Sequence, residues 1–228
     1  MTISYLNNYT TFSSTNPRTR TDVSIPSDTD FVVAMAVGKL SSGNLVPSTF
    51  TIDSKPVEYI CSAYHTNIHM YVGFATGVST GIEKTMYASW PASVSVGIGY
   101  MLLFFSGVQP NYIKDYKTVL SNSSGTQYTD YMTCDNTDLL VALGGIYRNI
   151  SQLIYFNVNS QTSITHTYSD TLQSFMGAGY KGCAGSSIQA AADPSEAGSV
   201  FAGLVLRGTQ YVPSSGGKWG GTWGRKVA

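Results

Sequence analysis

Along most of this 228-residue chain, apolar and polar positions alternate with a period of two instead of recurring at helical spacing. TFTID (49–53), VEYICSAYH (57–65), IHMYVGFAT (68–76) and QLIYFNV (152–158) all show the pattern of extended strands, whose side chains point to opposite faces in turn. Turn-forming clusters separate such stretches: SSGN (41–44), DSKP (53–56), SNSSG (121–125) and ADPSEAG (192–198). No segment carries the apolar stripe of an amphipathic helix. The longest apolar run, VSVGIGYMLLFF (94–105), is shorter than the roughly 20 residues a membrane-spanning helix takes, and reads as a buried strand. The pattern predicts an all-β protein, with regularly spaced short strands favouring a sandwich or a closed barrel.

The chain also repeats itself. TDVSIPSDTDFVVAMAVG (21–38) aligns without a gap on TDYMTCDNTDLLVALGG (129–145), matching Thr21 to Thr129, Asp22 to Asp130, Thr29 to Thr137, Asp30 to Asp138, Val33 to Val141 and Ala34 to Ala142, a spacing of 108. Further on, MYVGF matches MGAGY through Met70 and Met176, Gly73 and Gly179, and Phe74 and Tyr180, a spacing of 106. LFFSGVQ, ending at Gln109, matches LVLRGTQ, ending at Gln210, a spacing of 101. The spacing drifts downward in order, as loops shortening after an ancient duplication would make it. The expected organisation is an N-terminal arm (1–20), a first β half (21–109), a connector crossing the surface (110–128), a second β half (129–210) and a Gly/Trp-rich tail (211–228). A half of about 85 residues is marginal by itself, which favours two halves contributing to one larger jelly-roll-like sandwich over two separate small ones.

The order DFVVAMAVG, IDSKPVEYI, MLLFFSGVQ, then DLLVALGG, GAGYKG and FAGLVLRG resembles a duplicated β-sandwich module common in structural proteins of tailed phages and some bacterial surface proteins. The resemblance covers roughly residues 20–210, through loose apolar and glycine positions, and WGGTWG (219–224) is similar to the Trp-Gly repeats that close some phage head and tail proteins. It implies a virion component: a capsid decoration or cement protein, or alternatively a tail, baseplate or fibre component that binds host glycans. Homo-oligomers, trimers among them, are expected of such sandwiches, although nothing in the residues demands threefold symmetry.

Composition narrows the chemistry. Thirteen basic residues balance thirteen acidic ones and only 11% of residues are charged, which argues against a role centred on nucleic acid or anionic membrane and suits a protein that lives in an assembly. Cys61, Cys134 and Cys183 form no CxxC pair and read as buried free thiols. The opening MTISYLNNYT has neither the basic start nor the apolar stretch of a signal peptide, so synthesis in a host cytoplasm without export, followed by assembly into a virion, is the expectation. His65 and His69 have the spacing of a helical metal pair, but on one extended strand they lie about 13 Å apart, too far for one zinc ion. Asp28, Asp30, Asp135 and Asp138 cluster before the two buried strands, where turn chemistry is favoured over calcium. There is no GxSxG elbow or phosphate-cradling loop, and Glu58, Glu83 and Glu196 fall in unrelated contexts. A non-enzymatic protein without cofactor or metal is the expectation.

The candidate contact residues are therefore aromatic and basic. Trp90, in ASWPAS, is the candidate for stacking on a sugar, set against the plainer reading of a ring covering one end of the sandwich. Beyond Glu196 there is no acidic residue, while Arg207, Lys218, Arg225 and Lys226 follow; before Asp22, Arg18 and Arg20 are likewise unopposed. Trp219 and Trp223 would lie about 13 Å apart on one side of an extended tail, a spacing suited to two pockets on a partner. Arg18, Arg20, Lys218, Trp219, Trp223, Arg225 and Lys226 are thus the expected docking residues, aimed at a more acidic neighbouring virion subunit.

Overall fold

A computed structural model describes residues 2–39, 46–65, 68–91, 96–121, 123–147, 154–169, 174–194 and 198–208. Every element among them is a strand. The first nine are β1 (Ser4–Ser13), β2 (Arg18–Ile25), β3 (Phe31–Lys39), β4 (Thr49–Ile52), β5 (Lys55–Pro56), β6 (Glu58–His65), β7 (Ile68–Thr76), β8 (Gly81–Ser89) and β9 (Val96–Ser106). Ten more follow: β10 (Val108–Ser121), β11 (Gln127–Tyr128), β12 (Met132–Thr133), β13 (Leu139–Tyr147), β14 (Ile154–Tyr155), β15 (Thr162–Ser169), β16 (Ser174–Gly182), β17 (Ser187–Ile188), β18 (Ala191–Pro194) and β19 (Ser199–Gly208).

Two five-stranded sheets form the middle of the molecule, ordered β1-β9-β3-β7-β6 and β10-β19-β13-β16-β15, the same order strand for strand. Each is backed by outer strands, β2-β8-β4-β5 in the first case and the shorter ladders β11-β18-β14 and β12-β17 in the second. Within each repeat the chain passes back and forth between inner and outer sheet, the winding of a jelly roll.

The three sequence spacings are the register of these sheets. Ala34 lies between Gly73 and Leu102, and Ala142 between Gly179 and Gly203. The irregularities are duplicated too. β1 slips between Tyr5 and Asn7 and β10 between Ile113 and Asp115, while β6 slips between Tyr59 and Cys61 and β15 between Ser163 and Thr165. Ser13 Oγ donates to the Thr15 carbonyl at 3.1 Å and Ser121 Oγ to the Ser123 carbonyl at 2.7 Å, so both repeats leave their first strand through the same turn.

Two expected boundaries move. Residues 4–13, read as part of an arm, form β1, paired along its length with β9; residues 108–121, read largely as a connector, form β10, paired with β19. They are the equivalent first strands of the two repeats. Both are edge strands, and a strand with a free edge and a partly solvated face carries the polar residues of a linker.

Alternate residues of each inner strand serve two cores. From β3, Phe31, Val33, Met35 and Val37 point to a central core shared with Val141, Leu143, Met176, Ala202 and Leu204 of the second repeat. Val32, Ala34 and Ala36 point the other way, onto Val23, Phe50, Ile52 and Met86 of the outer strands. In the second repeat Leu140, Ala142 and Phe201 likewise face Met132, Ile154 and Ile188. The all-β fold of two similar halves is therefore present, but the halves do not merge into the one larger sandwich expected: each closes around a core of its own. Each half winds its own jelly roll, and the two inner sheets pack face to face, giving four layers and three cores. The central core is the largest of the three among the described residues.

Because that core is shared, damage in one repeat reaches the other. Leu143→Ala, in the second repeat, is expected to cost about 3 kcal/mol. In a Trp219→Phe, Trp223→Phe background, the fluorescence of Trp90, which sits in the first repeat's own core, should lose its folded signal at the same lowered denaturant midpoint as the overall circular dichroism. A Trp90 transition that stays in place would mean that the repeats unfold independently.

Candidate functional site

Trp90 is 3% exposed and lies in the core of the first jelly roll. Its indole N–H donates to the Tyr100 hydroxyl at 2.7 Å, while Asn16 clamps its backbone from both sides: Nδ2 donates to the Trp90 carbonyl at 2.8 Å and Oδ1 accepts the Trp90 amide at 2.9 Å. Burial, eased by that indole, pushes the Tyr100 hydroxyl up to about 12. A ring so held cannot stack on a sugar, and the plainer reading of Trp90 is the correct one. Arg18 and Arg20 belong to β2, paired with Ala88 and Met86, instead of to a free arm. The Arg20 Nε donates to Thr11 Oγ1 at 3.0 Å and lies 3.8 Å from Asp22. Lys218, Trp219, Trp223, Arg225 and Lys226 lie outside the described residues.

Asp138 does the expected turn chemistry toward the Asp135 amide, and Asp30 and Asp138 both act at long range. Asp30 Oδ2 accepts the Gly107 amide at 2.7 Å and its counterpart Asp138 Oδ1 accepts the Gly208 amide at 3.0 Å, so each clips the end of its repeat's last strand to the start of β3 or β13. A side chain at Gly208 would meet the Thr137 carbonyl oxygen at 1.8 Å, and Gly107 has a φ of 79°. The Gly-x-Gln signature closing each half is thus the receiving end of a carboxylate clip. The second clip is more buried and more elaborate. Asp138, 3% exposed, also accepts the Asp135 amide at 2.7 Å and Lys114 Nζ at 3.1 Å, and Lys114 donates to the Asp135 carboxylate as well. Burial works against the Lys114 charge, but the Asp135 and Asp138 carboxylates outweigh it and hold the ammonium above the usual lysine range.

Beside this clip, where β6 of the first repeat meets β10 of the second, a cleft encloses about 300 Å³. Tyr59, Ile60 and Phe74 line it from the first repeat, and Ile113, Lys114, Asp115 and Tyr116 from the second. Tyr59 and Tyr116 are 57% and 46% exposed. The Tyr59 hydroxyl is 3.1 Å from Ser62 Oγ, and Phe74 is backed by Phe31, stacked at 5.4 Å. Asp115 is fixed in place, Oδ1 accepting the Tyr116 amide at 2.8 Å and Oδ2 the Thr133 amide at 2.9 Å.

The duplication supplies a second copy of this junction, between β15 and β1, and there a tyrosine ring is stacked into it. By register Tyr180 stands for Phe74 and Tyr5 for Ile113. The Tyr5 ring stacks on Tyr180 at 5.7 Å and 29°, and its hydroxyl accepts Asn8 Nδ2 at 2.7 Å. No reading of isolated motifs exposes this cleft. Carrying the spacing of 108 upstream would have aligned Ser13 with Ser121 and drawn β1 and β10 into the repeat.

The histidines fall on the two strands of one hairpin, His65 on β6 and His69 on β7, with His69 paired to Tyr64. Their rings are not joined by a metal cluster: among the described residues no group of three or more His, Cys, Asp or Glu gathers. His69 is 2% exposed, its Nε2 makes no hydrogen bond, and the Tyr64 ring lies 4.1 Å away. Burial pushes its pKa down to about 4. The three cysteines are free and buried; burial raises Cys61 to about 12 and, with the neighbouring Cys134, raises Cys183 as well.

Compared with known proteins, the chain matches no family model, no curated protein and no solved structure.

Two measurements test the local chemistry. Asp138→Ala leaves the buried Gly208 amide and the Asp135 amide without their acceptor and removes one of the two carboxylates that Lys114 donates to, and should cost about 3 kcal/mol in urea denaturation, whereas Asp30→Ala, at the more exposed clip, should cost about 1 kcal/mol. Equal losses would refute the difference in burial. For His69, the unfolded chain takes up a proton near pH 6.5 and the folded one only near pH 4. Stability is therefore intact above pH 6.5 and falls as pH drops toward 4, by up to about 3 kcal/mol. Between pH 7 and 5 the His69→Phe variant should show a flatter decline than the parent; parallel curves would place the proton uptake elsewhere.

Proposed function

We propose that this chain is a non-enzymatic structural subunit of a tailed-phage particle, a decoration or cement protein on the capsid surface, docked through its C-terminal segment to a neighbouring subunit. The observation that carries this reading is that segment 211–228 has no counterpart in the duplicated unit. Each repeat ends at its clipped glycine, Gly107 or Gly208, and the first passes directly into β10. The repeats account for each other's apolar faces across the central core. What the sequence adds beyond them is a locally basic run with Trp219 and Trp223, the residue type most enriched at interface hot spots. With Arg18 and Arg20 built into β2, docking rests on this segment alone instead of on two arms. The setting comes from the resemblance in strand order and the Trp-Gly ending; the balanced, sparse charge suits a lattice-bound protein. In the alternative placement, a tail, baseplate or fibre component binding host glycans, Trp90 is no longer available as the contact.

Deleting residues 213–228 should leave the circular dichroism and the Trp90 transition of the repeats unchanged, and should abolish co-sedimentation with particles assembled in the protein's presence. Normal incorporation of the truncated chain would remove the docking role.

A further inference from the structure

We propose that the cleft between β6 and β10 is a carbohydrate-binding site that takes a neutral pyranose ring between the rims formed by Tyr59 and Tyr116. The inference stands apart from the virion reading, since it rests only on the two copies of the repeat junction.

The filled copy shows what the geometry accepts. At the β15/β1 junction the occupant is a six-membered ring, Tyr5, lying nearly parallel to Tyr180 with its hydroxyl tied by Asn8. At the β6/β10 junction the same backbone register holds Ile113, the ring laid on Phe74 is that of the preceding Tyr112, tilted at 5.5 Å, and about 300 Å³ stays open beside Phe74 and Ile60. That volume is at the lower end of small-molecule sites, whose walls are mostly apolar with a few placed polar groups. A ring-sized ligand fits it.

The rim chooses among rings. Asp115 is anchored through one lone pair of each oxygen and keeps acceptor capacity on both. With the Tyr59 and Tyr116 hydroxyls, it gives the lining both acceptors and donors, suited to a ligand with several hydroxyls and not to a phenol with one. The half-exposed tyrosines offer the amphipathic faces on which the C–H side of a sugar ring packs. Charge argues for a neutral ligand. The one cation at the cleft, Lys114, donates to Asp135 and Asp138, so a phosphate or carboxylate would meet the Asp115 charge with no ammonium committed to it. The register counterparts of Tyr59, Lys114 and Tyr116 are Ser163, Leu6 and Asn8, so the open junction differs from the sealed one at each of these rim positions.

The test uses the purified full-length chain on an array of neutral and amino-sugar oligosaccharides, followed by calorimetry with the best binder. Ile113→Tyr should plug the cleft as Tyr5 plugs its copy and eliminate binding. Tyr116→Ala should weaken binding about tenfold, and Tyr128→Ala, at an exposed tyrosine outside the cleft, should leave it unchanged. Unaltered circular dichroism and Trp90 fluorescence would certify each fold, and Tyr116→Ala, a surface change, gives the answer if Ile113→Tyr fails to fold. Binding that survives both cleft variants, no binding to any arrayed glycan at millimolar concentration, or binding of a tyrosine-containing control peptide in place of sugar would each overturn the proposal. None of these outcomes bears on incorporation of the truncated chain, which tests the docking segment separately.

Discussion

The three middle strands of each inner sheet are buried on both faces, and most of the structure follows from that constraint. A sheet with water on one side can alternate apolar and polar residues; a sheet between two cores cannot. In β3 and β13 the period of two survives as an alternation of size. Toward the central core β3 presents Phe31, Val33, Met35 and Val37, and toward the outer strands the smaller Val32, Ala34 and Ala36. In β13 the same order gives Leu139, Val141 and Leu143 against Leu140, Ala142 and Gly144, and a side chain at Gly144 would come within 2.4 Å of the Val200 carbonyl oxygen. Large residues from the outer layers, Phe50, Ile52 and Met86 in the first repeat and Met132 and Ile154 in the second, occupy the room that the small faces leave. The layers therefore interlock, and close packing of this kind makes a volume change on one face felt on the other.

The same constraint explains why neither repeat is a self-sufficient unit. A single jelly roll of this length would expose the whole central face of its inner sheet, with Met35, Met101 and Leu103 or Leu143, Met176 and Leu204 in water. Apolar area on that scale, at about 25 cal/mol per Å², is a large share of what holds a small domain together. Packing the two copies face to face solves the problem for both and leaves the edges of the inner sheets at β1, β6, β10 and β15. Those edges are where the copies are free to differ, because a residue there is not wedged between two cores.

What could be read from the sequence divides along the same line. The spacings of 108, 106 and 101 all run through doubly buried strands, where packing restricts every position, and each proved to be a strand register. β1 and β10 escaped notice because they are edges. SYLNNYTTFS is half polar, and β10 carries Lys114, Asp115 and Lys117, so both resemble linkers until their hydrogen-bond partners β9 and β19 are known. Trp90 misled for a different reason. The neighbouring Pro91 and small polar residues mark a loop, but local turn chemistry says nothing about where an indole points, and Tyr100, ten residues away, supplies its partner. The cleft was hidden more deeply, since it exists only as a difference between two copies of one junction, and Ile113 has no visible meaning until Tyr5 is recognised as its counterpart.

That difference is coordinated. Replacing the Tyr5 ring by Ile113 alone would leave a cavity, which costs stability in proportion to its volume. At the β10 bulge, however, Lys114 stands where Leu6 stands in β1, and its ammonium is drawn to Asp135 and Asp138 at the base of the second clip. The clip is in turn deeper than its Asp30 counterpart, with Asp138 also accepting the Asp135 and Gly208 amides. Lys114 thus pins the bulge, the pinned bulge sets Asp115, and Asp115 holds the amides of Tyr116 and Thr133. A junction opened by a chance loss of packing would leave slack around it. This one has polar groups fixed on the strand that lines it, so its opening is built into the frame that the second repeat uses to close itself.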